Sequence, residues 1–198
     1  MSVAEAGEVS LDFETLPLLT TVSEAVESFR VRADGKNLRL ETRVNGLLPE
    51  VIVTDRIRFK QIIANLVSNA LKYTEMGGVT ITVSAEIQDS KTLLRLAVGD
   101  TGIGIDPVQL ENLFLPFSRV HNTRQMAGIE GTGLGLALSR QIAQTLHGDI
   151  EVASTHGMGS LFTLSLPVEV PSGTGWSEKN QGHATSQKAT EDRMKAAA

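Results

Sequence analysis

The chain contains no cysteine, which excludes a disulfide framework, a thiolate zinc site and a cysteine nucleophile. It has no excess of basic residues: 18 Lys+Arg stand against 23 Asp+Glu, for a formal net charge of −5. A mildly acidic chain of this size lacks the positive field that holds nucleic acid through its phosphates. No run approaches 18 apolar residues, so no helical span is expected and no membrane contact by this segment. The first residues, MSVAEAGEVS, carry no apolar core of the kind a signal peptide needs. A cytoplasmic location is the expectation. What remains is ordinary globular material, 41% hydrophobic and 21% charged, long enough for one domain.

Residues 169–198 stand apart, being rich in Ser, Thr, Gly, Gln and Lys. With only Val170, Trp176 and Met194 as apolar anchors, this stretch is expected to be a disordered tail or linker with an exposed Trp176. The preceding part alternates between two periods. Helical spacing runs from Leu18 to about Arg32, and strand-like alternation covers Leu38 to Val44 and Val51 to Thr54. Asp55 is then placed to cap a long helix over residues 55–74, whose stripe is Phe59, Ile62, Ile63, Leu66, Val67, Ala70 and Leu71. A hairpin of Val79–Gln88 with Lys91–Gly99 follows, then a helix from about Gly133 to Leu146 and a second pair, Asp149–Ser154 and Ser160–Pro167. The pattern predicts an α+β fold: a two-layer sandwich whose mixed, mostly antiparallel sheet has helices on one face.

Three segments carry chemistry beyond this frame. Asn65, Asn69 and Lys72 lie at i, i+4 and i+7 and share one face of the long helix. An asparagine costs helix propensity, so two of them above a lysine are either a solvated helix face or an amide oxygen for a metal with an ammonium for phosphate. Asp100-Thr-Gly-Ile-Gly-Ile105 follows a strand; its carboxylate either closes an Asx turn or accepts from an exocyclic amine while its glycines admit a flat base. Gly131-Thr-Gly-Leu-Gly135 opens a helix, where free N–H groups and the dipole favour phosphate. There is no Walker loop, and the third glycine of a dinucleotide fingerprint would fall on Leu136. Seven of the 18 glycines (99, 102, 104, 128, 131, 133 and 135) cluster here.

Taken in order, Asn65-Leu-Val-Ser-Asn-Ala-Leu-Lys-Tyr-Thr74, Asp100-Thr-Gly-Ile-Gly104, Leu113-Phe-Leu-Pro-Phe117 and Gly131-Thr-Gly-Leu-Gly-Leu-Ala137 resemble the ATP-binding catalytic domain of sensor histidine kinases. That group shares the Bergerat fold with gyrase B, MutL and the ninety-kilodalton heat-shock chaperone. The resemblance covers about residues 10–168 and divides the chain into a linker remnant (1–10), an ATP-binding domain (11–168) and the tail. It implies that Asn69 binds Mg2+, that Asn65 supports the phosphate side, and that Lys72 meets the phosphates. Tyr73 would pack near the nucleoside and Asp100 would take the adenine amino group, with Gly102, Gly104 and Ile105 shaping the base pocket. Gly131, Thr132, Gly133, Leu134 and Gly135 would face the phosphates, residues 118–130 would form a lid, and Thr163 would lie near the adenine-bound water.

Hydrolysing relatives carry a glutamate base where this chain has Asn65, which cannot take a proton at neutral pH. A kinase needs no such base, and a histidine kinase is therefore the expected activity. The acceptor histidine is absent: the four histidines precede Asn122, Gly148, Gly157 and Ala184, none in the family's acceptor pattern. Partners expected from the resemblance are the parent's dimerisation and His-phosphotransfer domain and a response-regulator receiver domain, with the isolated domain monomeric. A non-catalytic ATP-sensing module and a serine-kinase anti-sigma factor of the same fold are the alternatives.

Overall fold

A computed structural model describes residues 11–88, 91–117 and 133–178. The elements are β1 (Phe13–Pro17), α1 (Leu18–Glu27), α2 (Arg30–Gly35), β2 (Arg39–Val44), β3 (Leu48–Pro49), β4 (Val51–Asp55), α3 (Arg56–Tyr73), β5 (Gly78–Gln88), β6 (Lys91–Asp100), α4 (Pro107–Leu110), α5 (Gly135–Thr145), β7 (Asp149–Thr155), β8 (Gly159–Val168) and β9 (Trp176–Ser177). The main sheet has the order β2-β5-β6-β8-β7. Its β2–β5 pair is parallel and its other pairs are antiparallel. Helices cover one face, giving the α+β two-layer architecture expected.

Strand alternation makes the two faces. Val79, Ile81 and Val83 of β5, Leu94, Leu96 and Val98 of β6, and Phe162, Leu164 and Leu166 of β8 are buried toward the helices. Their neighbours Thr80, Thr82, Ala97, Thr163 and Ser165 look outward and are half-exposed. Helix α3 is the centre of the second layer, packed between α1 and α5. All seven residues of its apolar stripe are buried, and the carboxylate of Asp55 accepts from Arg58 N at 2.9 Å as its N-cap.

Two expectations are corrected. The single helix from Leu18 to about Arg32 is two helices, because Ser28 Oγ donates to the Ala25 carbonyl at 2.7 Å and competes with the helical ladder there. The tail does not begin at residue 169. The carbonyl of Glu169 accepts from Val53 N, that of Gly175 accepts from Glu50 N, and β9 pairs with β3 through Trp176↔Pro49. Trp176 is thus half-buried rather than exposed. Main-chain pairing holds this segment, and a sparse apolar pattern does not announce main-chain pairing. Residues 1–10 and 179–198 lie outside the described residues.

Helix α5 ends on His147 in the left-handed region, φ 63°. Its N–H donates to Gln144 O at 3.0 Å and that of Gly148 to Ala143 O at 2.8 Å, the paired bonds of a Schellman cap. A side chain in this conformation costs roughly 1 kcal/mol. His147→Gly is therefore expected to stabilise the domain by about 0.5–1 kcal/mol, read as a rise in thermal midpoint.

Candidate functional site

The polar residues of α3 line up along one side of the helix, and different neighbours meet them at each turn. At Asn65 the neighbour is α5: Asn65 Nδ2 donates to Ser139 Oγ at 2.8 Å. The Cα of Gly135 lies so close that a Cβ there would strike Asn65 Oδ1. At Tyr73, two turns on, the neighbour is the loop after β6: Ile103 N donates to the Tyr73 carbonyl at 3.3 Å. Asn69 sits midway between these two contacts, one turn from each. Its side chain is half-exposed and has no hydrogen-bond partner among the described residues. Lys72 lies on the same side, its ammonium 4.9 Å from the centre of the Tyr73 ring.

The loop following β6 is fixed on both sides. Asp100 Oδ1 accepts from Gly102 N at 2.8 Å. A Cβ on Gly102 would strike the Tyr73 carbonyl, so only glycine lets the loop lie against the end of α3. Gly104 has φ +66°, and its Cα abuts the Thr155 carbonyl. Ile105 is buried and its N–H donates to Ser154 Oγ at 2.9 Å. Burial pushes the Asp100 carboxyl above its ordinary range, against the opposing effect of the backbone N–H groups of Gly102 and Ser160.

The expected site residues therefore divide. Asn65, Asn69, Lys72, Tyr73, Asp100, Gly102, Gly104, Ile105 and Gly135 are brought to one region, along α3 and at its two flanks. Gly133, at φ +72°, and Leu134 lead into α5 beside them. Gly131, Thr132 and the expected lid of residues 118–130, with His121 and Gly128, lie outside the described residues. Thr163 does not join the group. On β8 it pairs with Ala97 of β6 and points to the face opposite Asp100; it lines a separate groove of about 800 Å3 with Phe114, Leu115, Arg140, Glu151 and Leu161. The residue directly opposite Asp100 is Ser160, whose hydroxyl is 3.0 Å from that of Ser154. Strand period was the signal that could have found it: Ser160 and Thr163 are three apart on one strand and must face opposite ways.

The expected aromatic segment before residue 118 serves as a brace. Leu113 is buried, and the Arg140 guanidinium lies 4.7 Å from the centre of the Phe114 ring. The same guanidinium grips Asp149 through two bonds of 2.8 and 2.9 Å. This ties the segment to α5 and β7.

No group of three or more His, Asp or Glu side chains is arranged to hold a metal among the described residues. The side-chain amide oxygen of Asn69 is the protein ligand that the sequence reading expects. That donor set suits Mg2+, which keeps several waters and takes its remaining ligands from substrate phosphates. No helix among the described residues is long and apolar enough to cross a membrane.

Residues 54–170 match the family model described as histidine kinase-, DNA gyrase B-, and HSP90-like ATPase. The aerobic respiration control sensor protein ArcB of Escherichia coli is 35% identical over 166 residues, covering 84% of this chain and 21% of that protein. The non-motile and phage-resistance protein of Caulobacter vibrioides is 38% identical over 170 residues, covering 85% and 20%. The chain thus spans about a fifth of the length of these curated relatives. Among solved structures, full-length ShkA in complex with AMPPNP superposes with a TM-score of 0.71 at 27% identity, covering 84% of this chain and 33% of that one. The Acinetobacter baumannii histidine kinase AdeS gives 0.59 at 26%, covering 80% and 68%.

Proposed function

Because the chain belongs to the family of histidine kinase-, DNA gyrase B- and HSP90-like ATPases, we propose that it is the catalytic domain of a sensor histidine kinase. It would transfer the γ-phosphate of ATP to a histidine on a separate dimerisation domain, for relay to a response-regulator receiver domain. The observation that carries this reading is Asn69, without a hydrogen-bond partner among the described residues and set on α3 between the opening of α5 and the Asp100 loop.

Each group then has a task that its surroundings suit. The Asp100 carboxylate accepts from the adenine amino group, while Gly102 and Gly104 let its loop lie against the end of α3 and against β7, which fixes the carboxylate in place. The Ser154–Ser160 hydroxyl pair beside Asp100 is placed to hold a bridging water, the role that the resemblance assigned to Thr163. Lys72 offers a mobile ammonium to the phosphates, and the N–H groups at the start of α5 add the positive end of a helix dipole. Asn69 would hold Mg2+, which when bound neutralises charge on the phosphate oxygens. The protein's contribution is positioning and electrostatics, since transfer to an imidazole needs no base from this domain. Asn65 agrees with that: it is a neutral amide bound to Ser139, not a base for water.

Calorimetry with AMPPNP, with and without Mg2+, is the first test, and metal-dependent binding is expected. A dimerisation domain bearing an acceptor histidine, mixed with this chain and ATP, should then become phosphorylated on that histidine. Binding without transfer would favour an ATP-sensing module, and transfer to serine would favour the anti-sigma-type kinase.

A further inference from the structure

A helix leaves its last four carbonyls without intrahelical donors. In α3, whose C-cap is Thr74, these belong to Leu71, Lys72, Tyr73 and Thr74, the turn that carries two of the candidate ATP-binding side chains. Each has a partner from elsewhere. Ile103 N donates to Tyr73 O at 3.3 Å. The other three rest on one ammonium: Lys36 Nζ lies 2.6 Å from Leu71 O, 3.5 Å from Lys72 O and 2.8 Å from Thr74 O. Lys36 is remote in sequence, following α2, and it is half-buried.

Lysines in a last helical turn commonly bend back onto those carbonyls, drawn by the negative end of the dipole. Lys72 is the basic residue of that turn in α3, yet its ammonium lies over the Tyr73 ring and makes no hydrogen bond to the described residues. The carbonyls that would attract it are already taken. We propose that Lys36 is a positioning residue for nucleotide binding: it occupies the C-terminal carbonyls of α3 and thereby leaves the Lys72 ammonium available to the triphosphate. This inference rests on the functional reading above and assigns a role outside the segments that carry the family resemblance.

The experiment is titration of the full chain with Mg2+-AMPPNP by calorimetry. Lys36→Met is expected to raise Kd roughly tenfold, the scale of one charge-assisted contact, and Lys36→Arg to restore most of the affinity. If the two lysines act through one interaction, Lys36→Met added to Lys72→Ala costs nothing beyond Lys72→Ala alone. Should Lys36→Met not fold, Lys36→Gln, which keeps a donor but no charge, carries the same comparison. An unchanged Kd in either variant with only the thermal midpoint lowered would overturn the proposal, as would losses that multiply in the double variant. A wild-type chain that binds no nucleotide overturns the functional reading and this inference with it. Wild-type binding with an unaffected Lys36 variant overturns the inference alone.

Discussion

Asn69→Ala is expected to lower Mg2+-dependent phosphotransfer by about 10²–10³-fold, the cost of removing one preorganised electrostatic contact to a reacting centre. The fold is expected to survive unharmed. Asn69 is half-exposed and makes no hydrogen bond to the described residues, so truncation strands no buried partner. It lies in the interior of the 18-residue helix α3, where alanine is favoured over asparagine by roughly 0.5 kcal/mol. The variant should therefore melt at the wild-type temperature or slightly above it. Loss of transfer with a lowered melting temperature would mean that Asn69 is structural. Wild-type transfer would remove it from the metal site altogether. Asn65→Ala makes the useful contrast, because Asn65 is bonded to Ser139, and its loss should weaken the α3–α5 contact as well as activity.

The parts of this molecule that sequence made legible are those where side-chain chemistry follows the backbone period. The α3 stripe, its Asp55 cap and the β5–β6 hairpin all announce themselves in that way. What it hid was held by main chain. Strands β1 and β9 are short, and Trp176 is placed by pairing with Pro49, not by an apolar pattern of its own. The site shows the same division. Asn69 and Asp100 stand out because each is a costly residue where it sits, and Lys72 because it shares a helix face with Asn69. Ser160 is an ordinary strand residue and becomes visible only when β8 is set beside Asp100. Lys36 offers no pattern at all, since its task is to reach carbonyls 35 and more residues away.

Asp100→Asn is expected to separate binding from stability, moving them in opposite directions. In the wild type, Gly102 N–H donates to the Oδ1 of the carboxylate. In the variant this donor claims the amide oxygen and turns the NH2 outward, toward the adenine amino group, so donor meets donor. Losing a hydrogen bond to a charged acceptor costs about 1.5–3 kcal/mol, or roughly 10–150-fold in AMPPNP affinity. Stability goes the other way because burial raises the Asp100 pKa. A carboxyl whose pKa is higher in the folded than in the unfolded state favours folding most when both are protonated. That advantage is lost as pH rises through the folded value. Above its raised pKa the nucleotide-free wild type thus carries a partly buried charge that the neutral amide of the variant avoids, and there the variant should melt higher. Lowering the pH should erase the difference across the interval between the raised pKa and the ordinary carboxylate value. Nucleotide affinity of the wild type should fall over that same interval, as the acceptor gains a proton. A variant that melts lower above the raised pKa, or that binds AMPPNP as the wild type does, would show that Asp100 serves the loop rather than the base.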